Sequence, residues 1–279
     1  MAPPKLGPFG AFTFGPVSAH DATELEQLGY GTLWIGGSPE ADLTFAEPLL
    51  AATKTLVLAT SVVNIWSAPA QQVAAAFHRI DTAYPGRFLL GIGAGHREHT
   101  VEYRQPLAAL AEYLDELDAA GIPTDQRILA ALGPKMLQLA AERSAGANPA
   151  LTPTRYNYAA RTELGHGPLL VPVQAILLNA TQQTARVVGS QIADVYLGLR
   201  NYVNNWRRLG YTDDDLTPPG SQRLIDDLLA YGDPGHVATR LREHLDTGAD
   251  HVAIQVPGTL AQLLAALREL AEPLGLSAH

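Results

Sequence analysis

The stretch Tyr84-Pro85-Gly86-Arg87-Phe88-Leu89-Leu90-Gly91-Ile92-Gly93-Ala94-Gly95 reads in three parts. Tyr84-Pro85-Gly86 stops what precedes it, because proline cannot continue a helix and glycine turns freely. Arg87 to Ile92 is a short apolar run of the strand type. Gly91, Gly93 and Gly95 then interrupt the chain. Without a Cβ, their backbone N–H groups can approach a phosphate or a planar ring closely. The third glycine arrives one residue too early for a G-x-G-x-x-G fingerprint, and no helix starts at once. The same glycines would equally serve to bend a strand. Upstream, Val73, Ala76, Phe77 and Ile80 recur at helical spacing, so the order is helix, stop, strand, glycine turn.

That order repeats outward in both directions. Strand-type runs are Phe9 to Phe14, Thr32 to Ile35, Leu56 to Ile65, Arg87 to Ile92 and Arg127 to Leu132. Ala147 to Leu151, Leu169 to Leu178 (interrupted by Pro172) and His251 to Val256 complete the set. Helical stripes lie between them. Ser18 with Asp21, Asn179 with Gln182 and Thr259 with Gln262 have the spacing of helix starts. Gly198 to Gly220 breaks the alternation and reads as a helical insertion. Ser221–Leu229 and Pro234–Leu245 read as a helix pair. Strands separated by helices pair in parallel with right-handed crossovers. Eight such units in 279 residues predict an α/β chain folded as one (β/α)8 barrel domain, residues 1–279.

Composition narrows the partners. Hydrophobic residues make up 47% and charged residues 17%, a globular balance. With 19 Lys and Arg against 28 Asp and Glu, the net charge is −9, which disfavours nucleic acid and anionic membrane surfaces. There is no cysteine, so disulfides, thiolate nucleophiles and Cys-ligated metals are excluded. No uncharged apolar run is long enough to span a bilayer and no leader is evident, so a cytoplasmic protein is expected.

Active sites of such barrels lie just after the strands. The candidates are therefore Thr13-Phe14, Gly36-Gly37-Ser38, Asn64-Ile65-Trp66, the glycine run with His96, Gly133-Pro134 and Asn148. Lys135 and the free N–H groups at the start of its helix favour an anion. His96 and His99 have the spacing of a metal pair, but no third ligand is indicated. No metal is expected, and a proton-carrying role suits His96 better. Trp206-Arg207-Arg208 reads as a surface helix or as a lid over an anionic ligand. Asp213-Asp214-Asp215 reads as a solvated loop or cap.

The Pro-Gly-Arg-Phe motif running into Gly-x-Gly-x-Gly resembles the luciferase-like superfamily, and within it the F420-dependent oxidoreductases of actinobacteria. Thr32–Gly37, Ala59–Trp66, Arg127–Pro134 and Tyr202–Gly210 carry the same likeness. It implies an oxidoreductase that moves hydride between the deazaflavin coenzyme F420 and a small organic substrate. Ser61 and Val62 correspond to a non-prolyl cis peptide that supports the middle of the ring. Gly93, Ala94, Gly95 and His96 correspond to the loop along the cofactor. Ala131, Leu132, Gly133 and Pro134, with Lys135 next, correspond to the turn at its phosphate side. Asn64 and Trp66 are placed near the ring, and His96 is the candidate proton donor. Relatives are often dimers, so a homodimer is expected by analogy. Sugar-phosphate dehydrogenases of the superfamily carry an Asp-His pair where this chain has Gly36-Gly37-Ser38, and a glutamate where it has His96. Their acid–base machinery is therefore not carried over. The alternatives are an FMN-dependent monooxygenase on the same fold, a non-catalytic flavin-binding or deazaflavin-binding protein, and an unrelated barrel lyase or isomerase.

Overall fold

Strands and helices alternate from end to end in the computed structural model, which describes residues 3–100 and 104–277. The first half runs β1 (Phe9–Thr13), α1 (Ala19–Gln27), β2 (Thr32–Gly36), α2 (Ala46–Ala52), β3 (Val57–Ser61), β4 (Val63–Asn64), α3 (Ala70–Ala83), β5 (Phe88–Gly93) and α4 (Pro106–Ala119). The second half runs β6 (Arg127–Leu129), α5 (Pro134–Arg143), β7 (Gly146–Ala147), α6 (Tyr156–Leu164), β8 (Leu169–Leu170), β9 (Val173–Leu178), α7 (Gln182–Leu197), α8 (Arg200–Arg208), α9 (Gln222–Leu228), β10 (Leu229–Gly232), α10 (Pro234–Asp246), β11 (Val252–Gln255) and α11 (Leu260–Ala271).

Every pairing between these strands is parallel, and β1 sits between β2 and β11. β3 and β4 are one strand broken at Val62, where the Ser61–Val62 peptide is cis. β8 and β9 are likewise one strand broken at Pro172, which has no N–H to give. That bent strand closes the ring. On one side Val171 N–H donates to Ala147 O (2.8 Å) and Val173 N–H to Pro149 O (2.8 Å). On the other, Ala253 N–H donates to Pro172 O (3.0 Å) and Val173 pairs with Ala253. The result is a (β/α)8 barrel with the expected insertion.

Side chains alternate between two apolar layers because a strand's residues alternate faces. Trp34, Phe12, Val57, Leu89, Ile128 and Ala253 fill the barrel interior. Leu33, Leu58, Leu90, Leu129 and Ile254 face outward against the helices. Below, Trp34 Nε1–H donates to His251 Nε2 (3.0 Å) and His251 Nδ1–H donates to Gly7 O (2.7 Å). This fixes a neutral ring in the core.

Helix starts follow the capping rule at Ser18 and Thr259, where both reciprocal bonds of the box are present. Asn179 is a correction. It lies in a left-handed turn at φ 54°, a conformation asparagine tolerates, and its Nδ2–H donates to Glu269 Oε2 (3.0 Å). Thr181 caps the helix instead. The strand β10 is a second correction. Leu229–Gly232 pairs with Ala175–Leu178 of β9, extending the sheet outside the ring where β11 has ended. The insertion has its own small core of Leu151, Leu199, Tyr202, Trp206, Tyr211 and Leu224. Asp213 pairs with Arg207 (2.8 Å), whereas Asp215 is buried and accepts from Ser221, Thr212 and Arg223. Among the described residues, no helix is long and apolar enough to cross a membrane.

Candidate active site

A cavity of about 650 Å³ opens at the C-terminal ends of the strands. Its walls come from the ends of β1 and β2 (Phe12, Phe14, Gly37, Ser38), from β3–β4 (Ser61, Val62, Asn64) and from the turn after β5 (Ala94 to Thr100). The turns after β6 and β7 supply Ala130 to Gly133 and Asn148 to Leu151. The roof comes from α7 and α8 through Tyr196, Arg200, Asn201, Tyr202 and Asn204.

Of the candidate residues, Ser61, Val62, Asn64, Ala94, Gly95, His96, Ala131, Leu132 and Gly133 all line this one cavity. Gly93, Trp66, Pro134 and Lys135 stand behind or beside it. A Cβ on Gly93 would fall 2.5 Å from Val62 Cγ2, so this glycine lets Val62 pack down on the strand. Gly95 has φ +58°, the left-handed region, and a Cβ there would lie 3.0 Å from Asn64 Nδ2. Its glycine is thus required by the backbone before any ligand is considered. Trp66 holds the loop in place: its Nε1–H donates to Ala94 O (2.6 Å), and its backbone N–H donates to Asn64 Oδ1 (3.1 Å). Asn64 is therefore oriented with its oxygen committed. Pro134 and Lys135 open α5, whose N-cap is Gly133. Lys135 is solvent-exposed.

His96 is half-buried and packs on Tyr202, with ring centroids 5.7 Å apart. Burial holds its pKa below the usual histidine value, opposed by an Asn201 hydrogen bond and the Glu98 charge, and assisted by His99. Its Nδ1 is buried without a hydrogen-bond partner. Glu98 accepts from the Arg200 backbone N–H (3.2 Å), tying this turn to the insertion. Among the described residues, no cluster of His, Asp and Glu could hold a metal ion.

Sequence reasoning reached the strand ends but missed the roof. Trp206 is fully buried, and its Nε1–H donates to Leu151 O (3.1 Å), so it anchors the insertion rather than covering the ligand. Arg208 Nη2–H donates to Asn205 Oδ1 (3.2 Å). The cavity is instead covered by Asn201, Tyr202 and Asn204, earlier on the same helix. The expected insertion, the lid reading of Trp206-Arg207-Arg208 and the likeness over Tyr202–Gly210 all fell on this element, but none singled out the residues that face the cavity. Ser38 and Leu151, both on the cavity wall, have φ of 55° and 53°. Such backbone is uncommon outside glycine and gathers at functional sites.

The barrel, its closure and the cavity at the strand ends define a (β/α)8 fold with a site of ligand size at its C-terminal face. Residues 20–120 match the family model described as luciferase-like monooxygenase. An F420-dependent secondary alcohol dehydrogenase, solved with an F420–acetone adduct, superposes with TM-score 0.70 at 12% identity, over 96% of this chain and 98% of its own. The coenzyme F420-dependent tetrahydromethanopterin reductase of Methanopyrus kandleri gives TM-score 0.68 at 15% identity, over 95% and 97%. The oxygenating constituent of 3,6-diketocamphane monooxygenase from Pseudomonas putida, solved with FMN, gives 0.64 at 14%, over 96% and 98%. At these identities the likeness is one of fold. No curated protein matches the chain by sequence.

Proposed function

We propose that the protein is an oxidoreductase that holds coenzyme F420 in this cavity and transfers hydride between it and a small organic substrate. The observation that carries the reading is the convergence of the broken strand β3–β4 and the turns after β5 and β6 on one cavity of about 650 Å³. That volume lies within the range of about 300–1,000 Å³ usual for small-molecule and cofactor sites. The residues fit a planar, hydrogen-bonding ring with an anionic tail. Ser61 and Val62 on β3–β4, with Gly95 and His96 after β5, would hold the ring. The α5 N-terminus, entered through Ala131 to Gly133, takes the phosphate end, where free N–H groups favour negative charge.

The deazaflavin, when bound, supplies the hydride chemistry. The chain's own residues orient, shield and handle protons. Phe12, Phe14 and Val62 give the cavity apolar walls that exclude water. Asn64, its oxygen held by Trp66, keeps its amide N–H groups available to a ligand. His96, on the cavity wall, is the residue at which a proton is held for the substrate. FMN is the second reading, supported by the FMN-bound neighbour of the same fold.

Titration of the purified protein with F420, FMN and NADPH in parallel tests both readings. F420 is expected to bind more tightly than FMN, and NADPH not at all. Tighter FMN binding transfers the reading to a flavin monooxygenase. Binding of none of the three removes it. Binding of F420 with no hydride exchange in a single turnover would leave a carrier rather than an enzyme.

A further inference from the structure

Ser61 and Asn148 lie 87 residues apart in sequence and meet at the cavity wall, with Ser61 Oγ 2.6 Å from Asn148 Oδ1. The proton between those two oxygens can come only from the serine, because the amide oxygen has none. The amide cannot turn to change this. Its Nδ2–H donates to Val171 O at 2.7 Å, and a flip would set two acceptors against each other. Its backbone is equally fixed, since Asn148 N–H donates to Leu129 O (2.8 Å). The asparagine is 3% exposed and strapped between the strands on either side, whereas Ser61 is only half-buried. Among the described residues no group donates to Ser61 Oγ, so its lone pairs have no protein partner.

We infer that Asn148 is a positioning residue that commits the Ser61 hydroxyl proton, so that Ser61 Oγ meets the ligand only as a hydrogen-bond acceptor. The ligand atom seated there is then a donor, an N–H or O–H on the ring, and a carbonyl is rejected at that point. A serine left free to rotate would accept either kind of group; this one discriminates. The inference deepens the proposed function and rests on a flavin-type or deazaflavin-type ring occupying the cavity. Such rings carry an ionisable N–H beside carbonyls, and a misplaced ring would set a carbonyl against Ser61 Oγ.

The experiment uses the full chain with FMN and with F420. Affinity is measured for the wild type, Ser61→Ala, Asn148→Ala and Asn148→Asp, with thermal unfolding as the check on folding. The pH of ring N–H deprotonation is followed in each complex by absorption. An acceptor on the ring donor stabilises its protonated form, so deprotonation in the wild-type complex is expected at higher pH than in free chromophore. Ser61→Ala should weaken binding roughly 5- to 100-fold by leaving a buried ligand donor unpaired, and should lower that pH. Asn148→Ala frees the hydroxyl and should lower it as well. Asn148→Asp, its carboxyl protonated toward Val171 O, still accepts from Ser61 and should restore much of it. A merely structural asparagine would change stability without moving the chromophore's titration. Binding by the wild type with the same deprotonation pH in Ser61→Ala overturns this inference alone. Failure of the wild type to bind either chromophore overturns it together with the functional reading.

Discussion

At Arg87 the motif that reveals the fold has a reason in the structure. Its guanidinium donates to the carbonyls of Leu50 (3.1 Å), Thr53 (2.8 Å) and Leu56 (2.8 Å) and to Thr53 Oγ1 (2.6 Å). One planar fork, set just before β5, therefore satisfies the end of α2 and the residue that leads into β3. A lysine presents a point charge and cannot reproduce that geometry. Arg87→Lys should lower stability by about 1–3 kcal/mol, read from urea unfolding, with ligand affinity unchanged. Equal stability would mean the carbonyls find water instead. His96 is the residue on which the chemistry is staked. Burial pushes its pKa below the ordinary 6.5, so the imidazolium is populated only in more acidic solution. If His96 delivers a proton as imidazolium, kcat/KM falls as pH rises through a value below 6.5, and His96→Ala flattens the profile. A positioned acid is worth about 10²–10⁴-fold, so the variant should lose turnover by that factor while cofactor affinity changes far less. A variant with full activity and the same pH profile makes His96 a bystander. Single residues of this kind were only partly legible. Gly95 could be read from a local pattern, and Ser61 only through the family likeness. Asn148 became meaningful only when the fold carried it across to Ser61, which no spacing in the sequence encodes.

Among the elements, those with a clean period were read correctly and those without one were not. The eight barrel strands are bounded by glycine, proline and capping residues, and their helices keep a stripe at 3.6-residue spacing. Leu229–Gly232 follows directly on Gln222–Leu228, so its apolar residues merge with a helical stripe, and its pairing with β9 is a tertiary choice. The insertion gave composition but no placement. Its placement comes from Trp206, fully buried and bonded to Leu151 O, with Leu151 held at φ 53° on the cavity wall. Trp206→Phe keeps the ring packing and removes the N–H, leaving a buried carbonyl unpaired at a cost of about 1–3 kcal/mol. Because Leu151 and Tyr202 line the cavity, that loss should loosen both the wall and the roof. The expected result is a lowered urea midpoint together with weaker F420 binding. A lowered midpoint with wild-type affinity would show that α8 stabilises the barrel without shaping the site.

The whole molecule carries two opposing responses to acid. With a net charge of −9 and a pI near 5.4, protonating surface carboxylates as pH falls toward the pI relieves self-repulsion and favours the fold. Two histidines act the other way. Burial pushes His251 down to about 4, against the raising effects of its bond to Gly7 O and of Asp250. Burial, with the nearby Arg240 charge, pushes His244 down to about 3. Both are neutral in the fold: His251 bridges Trp34 and Gly7, and His244 Nε2 lies 2.7 Å from Gln174 Oε1. In the unfolded chain they protonate near 6.5, so between there and their folded values the unfolded state binds more protons. Stability then rises with pH. It is fully present above about 6.5 and is lost progressively as pH falls toward about 4. His251 alone is worth on the order of 3 kcal/mol over that window, and surface repulsion spread over an exposed, screened shell is weaker. The histidines should therefore win, and the urea midpoint should drop between pH 7.5 and pH 5 although the net charge is shrinking. His251→Asn, which removes the titrating ring, should be less stable at pH 7.5 but show a shallower fall. A midpoint that holds or rises on acidification in the wild type, or an unchanged slope in His251→Asn, would mean that surface charge and not the buried imidazoles governs the acid response.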